Sequence, residues 1–309
     1  MISTERKVPW LAACGVVVLL SSFGCGETAA PTPEPPPAPP AATEQGVDGI
    51  ATSADGVEIG YTVWHHPTAT TAIVLVHGWM CDRGYWREQT EVLARDHTVV
   101  TLDLAGHGSS GTDREAWELD RFGDDVAAVV EALELGSVVL VGHSMGGPAV
   151  LAAAPRLADK VLGVVGVDTF HNAEAKPAAE QWEALMTAYR ADFGGTCEQF
   201  VTSMFREDTA PELVESIRGD MCGGPAEIGV ALMERFGAYE LGPALEASAA
   251  PVRAINANGA FATAVETNRA YSPDFEVRLV DDVGHFLMLE NPAAFNEQLR
   301  SVIVDLETE

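Results

Sequence analysis

Short apolar segments alternate with helical stretches through most of the chain, beginning near residue 48. β-Branched and aliphatic residues dominate the short segments, which lie at 56–64, 72–76, 97–102, 138–141, 161–167, 251–255 and 275–280. Strands buried on both faces have this composition, which is typical of parallel sheets. Helical spacing separates several of them, at 122–135 and 146–157, and closes the chain at 292–306. The sequence therefore predicts an α/β protein with a doubly wound, mostly parallel sheet.

The alternation stops between residues 171 and 246, where the pattern is mostly helical and rich in aromatic residues and methionine. We interpret this stretch as a helical cap inserted into a core formed by 48–170 and 247–309. Some of its aromatic and methionine side chains should face the site below the cap. Cys197 and Cys222 both lie in the cap and are the natural pair for a disulfide in an oxidising compartment, which would leave Cys81 unpaired.

The N-terminal region predicts export. Arg6 and Lys7 precede an apolar run at 8–23, the order of a secretory signal that would occupy residues 1–24. Two cysteines compete as a lipoprotein cleavage point, and we favour Cys25 over Cys14 because Cys25 stands where the apolar run ends. Residues 25–47 are rich in proline and are predicted to be an extended tether. We expect a membrane-anchored lipoprotein of the cell envelope, with a soluble secreted protein as the alternative.

The charge of the chain excludes several partners. With 18 Lys and Arg against 46 Asp and Glu, the formal net charge is −28. Nucleic acids and anionic lipid surfaces both need clustered basic residues, so neither is expected as a partner, and membrane contact should come through the lipid anchor alone. The adjacent His65 and His66 lack a third metal ligand at suitable spacing. We therefore predict neither a metal nor a cofactor.

The strongest chemical signal is Gly142-His143-Ser144-Met145-Gly146, a G-x-S-x-G motif between the predicted strand 138–141 and the helix 146–157. A sharp strand-to-helix turn would expose Ser144 Oγ as a nucleophile. Serine needs a base, and His285 follows the last predicted strand at a late position in the chain. A backbone N–H of His77-Gly78-Trp79, which ends the strand 72–76, could face the nucleophile and form an oxyanion hole with the N–H of Met145.

These landmarks together resemble the α/β-hydrolase fold family in its small lipase, esterase and haloperoxidase branch. The resemblance covers about residues 55–308 and includes the loop 103–108 and the cap. It implies Ser144 as nucleophile, His285 as general base and acid, and Trp79 and Met145 as oxyanion donors.

The third member of the triad departs from the usual pattern of that family. In most members the acid follows the strand that here is 252–255, yet residues 256–262 contain no carboxylate. Some members take the acid from the end of the preceding core strand, where this chain has Asp168. We favour Asp168, with Glu266 and Asn258 as the alternatives.

Other polar residues near these motifs are expected to have supporting roles. Asp103 and His107 should organise the loop 103–108. Trp79 and His143 are candidate substrate-binding residues, although the side chain of His143 should point away from Ser144.

The predicted function is hydrolysis of a carboxylic ester of a small, apolar substrate through an acyl-enzyme on Ser144. Lactonase, thioesterase, C–C bond hydrolase and perhydrolase activities would use the same groups, because the cap sets the choice of substrate. A non-catalytic envelope binding module is the other alternative, favoured only by the missing acid after residue 255.

Overall fold

The computed structural model describes residues 45–259 and 261–309. The signal segment, Cys25 and most of the tether lie outside the described residues. Within the described part, no helix combines the length and the apolar character that crossing a bilayer requires.

The described residues contain a sheet of eight strands in the order β1-β2-β4-β3-β5-β6-β7-β8. The strands are β1 (Val47–Thr52), β2 (Glu58–Trp64), β3 (Thr71–Val76), β4 (Thr98–Leu102), β5 (Ser137–His143), β6 (Val161–Val167), β7 (Val252–Ala257) and β8 (Glu276–Val280). The pairs β1–β2 and β2–β4 are antiparallel, and all other pairs are parallel. Every residue of β3 and β4 is buried, so helices must cover both faces of the sheet there. This architecture confirms the predicted fold class.

Strand β1 was not predicted from the sequence. It is an edge strand, and only Ala51 of its six residues is fully buried. Its side chains therefore lack the continuous apolar pattern that identified the central strands.

Eleven α-helices are described: α1 (Arg87–Leu93), α2 (Arg121–Ala132), α3 (Gly146–Leu157), α4 (Ala179–Ala191), α5 (Phe193–Thr202), α6 (Pro211–Cys222), α7 (Ala226–Ala238), α8 (Leu241–Ala247), α9 (Val265–Arg269), α10 (Leu287–Glu290) and α11 (Pro292–Thr308). Helices α4 to α8 lie between β6 and β7 and are called the cap below. A disulfide joins Cys197 in α5 to Cys222 in α6, the pairing expected from the sequence. Cys81 is a free, buried thiol in the core.

A buried ion-pair network stabilises the first half of the core. Arg114 contacts the carboxylates of both Asp55 and Asp125, and its side chain is almost fully buried. Asp125 also accepts hydrogen bonds from Ser53 Oγ and from the backbone N–H of Ala105. The network therefore connects α2 to the segment after β1 and to the loop after β4.

Candidate active site

The predicted nucleophile, Ser144, occupies a strained turn between β5 and α3. Its φ angle is +51°, in the left-handed region that L-residues rarely adopt. A Cβ at Gly142 would lie 2.2 Å from the carbonyl oxygen of Gly146, and one at Gly146 would lie 2.5 Å from that of Val76. Both glycines are thus needed for strand and helix to approach this closely. The flanking residues of the motif are buried, whereas Ser144 is partly exposed to a pocket.

The imidazole of His285 is paired with Asp168. The loop after β8 carries His285, and Asp168 comes directly after β6. His285 Nδ1 lies 2.6 Å from Asp168 Oδ2, and Asp168 Oδ1 accepts the backbone N–H of Ala257 at 2.9 Å. The end of β7, where the acid usually stands, therefore supplies the N–H of Ala257 instead. This N–H donates to the carboxylate of Asp168, which follows the neighbouring strand β6. The pairing leaves His285 Nε2 as the nitrogen that could take a proton from a nucleophile.

The protonation state of Asp168 follows from these contacts. Burial favours the neutral acid, but the hydrogen bond and charge of His285 outweigh it, together with the N–H of Ala257. The net effect lowers the pKa of Asp168 below its ordinary value. The nearby His171, whose Nε2 lies 3.8 Å from Asp168 Oδ1, contributes in the same direction. Asp168 is therefore a carboxylate at neutral pH.

The alternative acids are engaged elsewhere. Glu266 is exposed on α9 and pairs with Arg269 at 3.0 Å. The side chain of Asn258 donates to Asp281 Oδ1 at 2.6 Å on the surface of the molecule. The geometry thus brings Asp168, and not Glu266 or Asn258, to His285.

The loop after β3 passes beside Ser144. A Cβ built on Gly78 would lie 3.2 Å from Ser144 Cβ, and Trp79 and Met145 line the same pocket as Ser144. His107 Nε2 accepts the N–H of Met80, so the loop after β4 holds this segment in place. The two residues predicted to supply oxyanion donors, Trp79 after β3 and Met145 after β5, therefore line the same pocket as Ser144.

The loop after β4 is organised as the sequence predicted. Asp103 accepts hydrogen bonds from the backbone N–H groups of Arg83 and Ser109 and forms an ion pair with the guanidinium of Arg83. His107 Nδ1 donates to the carbonyl of Ala105 at 2.9 Å, which leaves Nε2 to accept. Burial, and then the charge of His77, lower the pKa of His107 to about 3, so the ring is neutral.

His143 lines the pocket and contacts the histidine loop rather than the nucleophile. Its Nε2 donates to the carbonyl oxygen of His285 at 3.0 Å, and the two rings lie 4.6 Å apart. Burial, and then the charge of His285, lower the pKa of His143 to about 3, so the side chain is neutral. Its Nδ1 is buried without a hydrogen-bond partner among the described residues.

Trp79 joins the core to the cap. Its indole Nε1 donates to the carbonyl of Gly229 in α7 at 2.9 Å, and its ring packs edge-on against Tyr189 and Phe200. This bond fixes the indole as part of the wall of the pocket that Ser144 also lines.

The pocket above Ser144 has a volume of about 510 Å³, including its open mouth. The cap contributes apolar side chains to its wall, namely Trp182, Phe200, Met204, Met221, Met233 and Phe236. The core adds Phe286 and the thiol of Cys81. Burial raises the pKa of that thiol, which keeps it protonated and unreactive. Among the described residues that line the pocket there is no Asp, Glu, Lys or Arg, and the two histidines are His143 and His285.

Only part of this wall could be predicted from the sequence. Aromatic and methionine side chains of the cap were expected over Ser144 without a choice among them, and two of them, Met186 and Tyr189, are buried within the cap instead. Met221 was not predicted to line the pocket, because helical spacing alone does not reveal which face of α6 turns towards the core. Glu290, whose carboxylate accepts the backbone N–H groups of Gly284 and Phe286, was also not predicted. In the sequence it is a carboxylate five residues after His285, which nothing distinguishes from a surface group.

The described residues contain no cluster of three His, Cys, Asp or Glu side chains suited to hold a metal ion. Ser144, His285 and Asp168 have instead the chemical types of a nucleophile, a base and an acid that orients the base.

Comparison with known proteins agrees with the fold. The family model for the alpha/beta hydrolase fold matches residues 71–211. The chain has the α/β-hydrolase fold, and the proteins similar to it include esterases, haloperoxidases and an enol-lactonase.

Two curated relatives and one solved structure illustrate the similarity. A non-heme chloroperoxidase of Streptomyces lividans is 32% identical over 157 residues, 47% of this chain and 56% of that protein. A bifunctional esterase/perhydrolase of Acinetobacter calcoaceticus is 39% identical over 100 residues, 32% of this chain and 36% of that protein. These alignments thus span between about a third and just over half of the relatives. A malate-bound thermophilic esterase from Thermogutta terrifontis has a TM-score of 0.71 and 24% identity over 85% of this chain and 99% of that one.

Proposed function

We propose that the protein is a serine hydrolase that cleaves carboxylic esters with an apolar acyl group through an acyl-enzyme on Ser144. The hydrogen bond between His285 Nδ1 and the buried carboxylate of Asp168 carries the proposal, because it orients the imidazole at the pocket that Ser144 faces. The relative with esterase activity in its name supports the reaction type.

The proposed reaction follows from the roles of these groups. Ser144 Oγ attacks the carbonyl carbon of the ester while His285 Nε2 takes its proton. Asp168 stabilises the imidazolium that forms. The N–H groups of Trp79 and Met145 bind the negative oxygen of the tetrahedral intermediate. The alcohol leaves with the proton from His285, and water then releases the acid by the same steps in reverse.

The pocket wall supports a neutral, apolar acyl group. The low pKa of His143 makes this ring neutral at physiological pH, and the cap side chains at the wall are aromatic rings and thioethers. A substrate carboxylate at this wall would be desolvated without a cation beside it, which disfavours binding. Methionine side chains adapt to ligand shape, so several acyl chains should fit.

The alternative of a non-catalytic binding module depended on the missing acid after β7. The carboxylate of Asp168 beside His285 speaks against this alternative, and the strained turn at Ser144 favours catalysis, since such strain is concentrated at functional sites.

Labelling with a fluorophosphonate probe tests the proposal. The wild-type protein should be labelled, whereas Ser144→Ala should not be. An unlabelled but folded wild type would contradict an enzymatic function. A series of 4-nitrophenyl esters of increasing acyl length, with the hemisuccinate as a charged comparison, then measures substrate preference. Hydrolysis of the hemisuccinate as fast as the butyrate would contradict the apolar acyl group.

We also propose that the protein is exported and anchored through a lipid on Cys25, based on the signal-like segment at 1–24 and the proline-rich stretch after it. Mass spectrometry of the mature N-terminus should find a diacylglycerol on Cys25, and Cys25→Ala should abolish it. An unmodified N-terminus located downstream of Cys25 would contradict the anchor.

A further inference from the structure

Three consecutive backbone N–H groups hold the loop that carries His285. Those of Gly284 and Phe286 donate to the two carboxylate oxygens of Glu290 in α10, at 3.0 and 3.1 Å. The N–H of His285 donates to the carbonyl oxygen of Met204 in the cap at 2.9 Å. One side chain and one cap carbonyl therefore fix the backbone on which His285 stands.

The cap contacts this loop at two more points. Thr209 Oγ1 donates to the Glu290 oxygen that also accepts the N–H of Gly284, at 2.9 Å. The ring of Phe205 stacks on that of Phe286, with centroids 5.1 Å apart and an angle of 24°. The segment 204–209 between α5 and α6 thus contacts both Glu290 and the loop.

This contact also reaches the substrate pocket. The side chain of Met204 lines the pocket wall, while its carbonyl accepts from His285. The approach requires glycine at 284, because a Cβ there would lie 2.6 Å from that carbonyl oxygen. A displacement of Met204 by the substrate or by opening of the cap would therefore act directly on the backbone of His285.

We propose that Glu290 is a positioning residue for His285 and that the cap segment 204–209 completes this support, so that His285 is aligned only when the cap is seated. The inference rests on the proposed function. A shift of about 1 Å in a catalytic group can reduce the rate about 100-fold, so the backbone support should affect turnover.

The variant Glu290→Gln tests the positioning role with little change in shape. Glutamine has one acceptor oxygen, so its NH₂ group must face the N–H of either Gly284 or Phe286, and one amide loses its acceptor. We expect kcat on 4-nitrophenyl butyrate to fall about 10- to 100-fold, with KM changed less than about threefold, since the pocket wall is kept. Thr209→Val removes only the hydrogen bond from Thr209 Oγ1 to Glu290 and keeps the one between His285 and Met204, so it should lower kcat about two- to fivefold. The exposed Glu297 on α11 provides the matched control Glu297→Gln, which should leave both constants unchanged.

Proton NMR supplies a readout that a general loss of stability would not move. The proton between His285 Nδ1 and Asp168 should give a far-downfield signal in the wild type. Glu290→Gln should shift or broaden this signal while the circular dichroism spectrum is retained. Unchanged kcat and an unchanged signal in folded Glu290→Gln would overturn the proposal.

Two further outcomes remain informative. If Glu290→Gln does not fold, Thr209→Val decides: a lower kcat at constant KM and melting temperature supports the positioning role, and an unchanged kcat overturns it. If the wild type is not labelled by the fluorophosphonate, the proposed function fails, while the NMR comparison still decides whether Glu290 positions His285.

Discussion

Replacing Asp168 by asparagine would change the tautomer of His285. In the wild type, Asp168 Oδ1 accepts the N–H of Ala257 and Oδ2 accepts His285 Nδ1–H. The asparagine side chain has one oxygen, and the N–H of Ala257 requires it, because two donors cannot pair. The amide NH₂ would then face His285 Nδ1 as a donor, and this nitrogen would have to act as an acceptor.

The proton of the neutral imidazole would therefore move to Nε2, the nitrogen that is proposed to accept the proton of Ser144. In a serine triad, this change of tautomer lowers kcat about 10⁴-fold, which corresponds to about 5 kcal/mol in the activation free energy. We expect a loss of this size for Asp168→Asn in initial rates on 4-nitrophenyl butyrate. KM should change little, because Asp168 is not among the residues that line the pocket above Ser144.

Glu266→Gln is the matched control, since it also converts a carboxylate to an amide. Glu266 is exposed on α9 and should be replaceable with less than about a twofold change in kcat, because surface substitutions have small effects. If Asp168→Asn is folded and retains more than about a tenth of the wild-type kcat, the assigned role of Asp168 is wrong.

Further predictions concern stability. Replacing Cys197 and Cys222 by serine opens a loop with a sequence separation of 25 and should destabilise the protein by about 3 kcal/mol in urea unfolding without reductant; an unchanged midpoint would contradict this. Arg114→Met should cost about 3 kcal/mol in the same assay, because it leaves the buried Asp125 without its cation. The lowered pKa of Asp168 means that its ionised form stabilises the folded state above the pKa of an unfolded aspartate, and that this stabilisation is lost as the pH falls through the lower folded value. The melting temperature of the wild type should consequently fall more steeply below about pH 4 than that of Asp168→Asn, and parallel curves would contradict the assignment.

The parts of the site that depend on local geometry could be predicted from the sequence. Ser144 was identified because a strand, a glycine-flanked serine and a helix follow one another directly, and the turn that results is fixed by contacts within a few residues and with β3. The strands β3 to β7 were predicted because their side chains are buried on both faces. The edge strand β1 was missed because four of its six residues are exposed and its sequence includes Asp48, Gly49 and Thr52. The other edge strand, β8, was predicted because Val277, Leu279 and Val280 keep it apolar.

The sequence favoured Asp168 as the acid but could not decide between it and the alternatives Glu266 and Asn258. The decisive contact joins residues 117 positions apart, and it depends on the register between β6 and β7 that brings the N–H of Ala257 to the carboxylate. The positions of Met221 on the pocket wall and of Glu290 also depend on contacts between distant parts of the chain. Glu290, for example, accepts a hydrogen bond from Thr209, 81 positions away.

The sequence by itself determined the class of fold and singled out Ser144 and His285 as the candidate nucleophile and base, because burial patterns and a glycine-flanked turn are readable in it. The tertiary structure decided which carboxylate faces His285, which cap side chains line the pocket, and how Glu290 contacts the loop that carries His285. The physical reason is the length scale of the interactions. Steric limits act between neighbouring residues, whereas hydrogen bonds between strand ends, loops and cap exist only once the chain is packed.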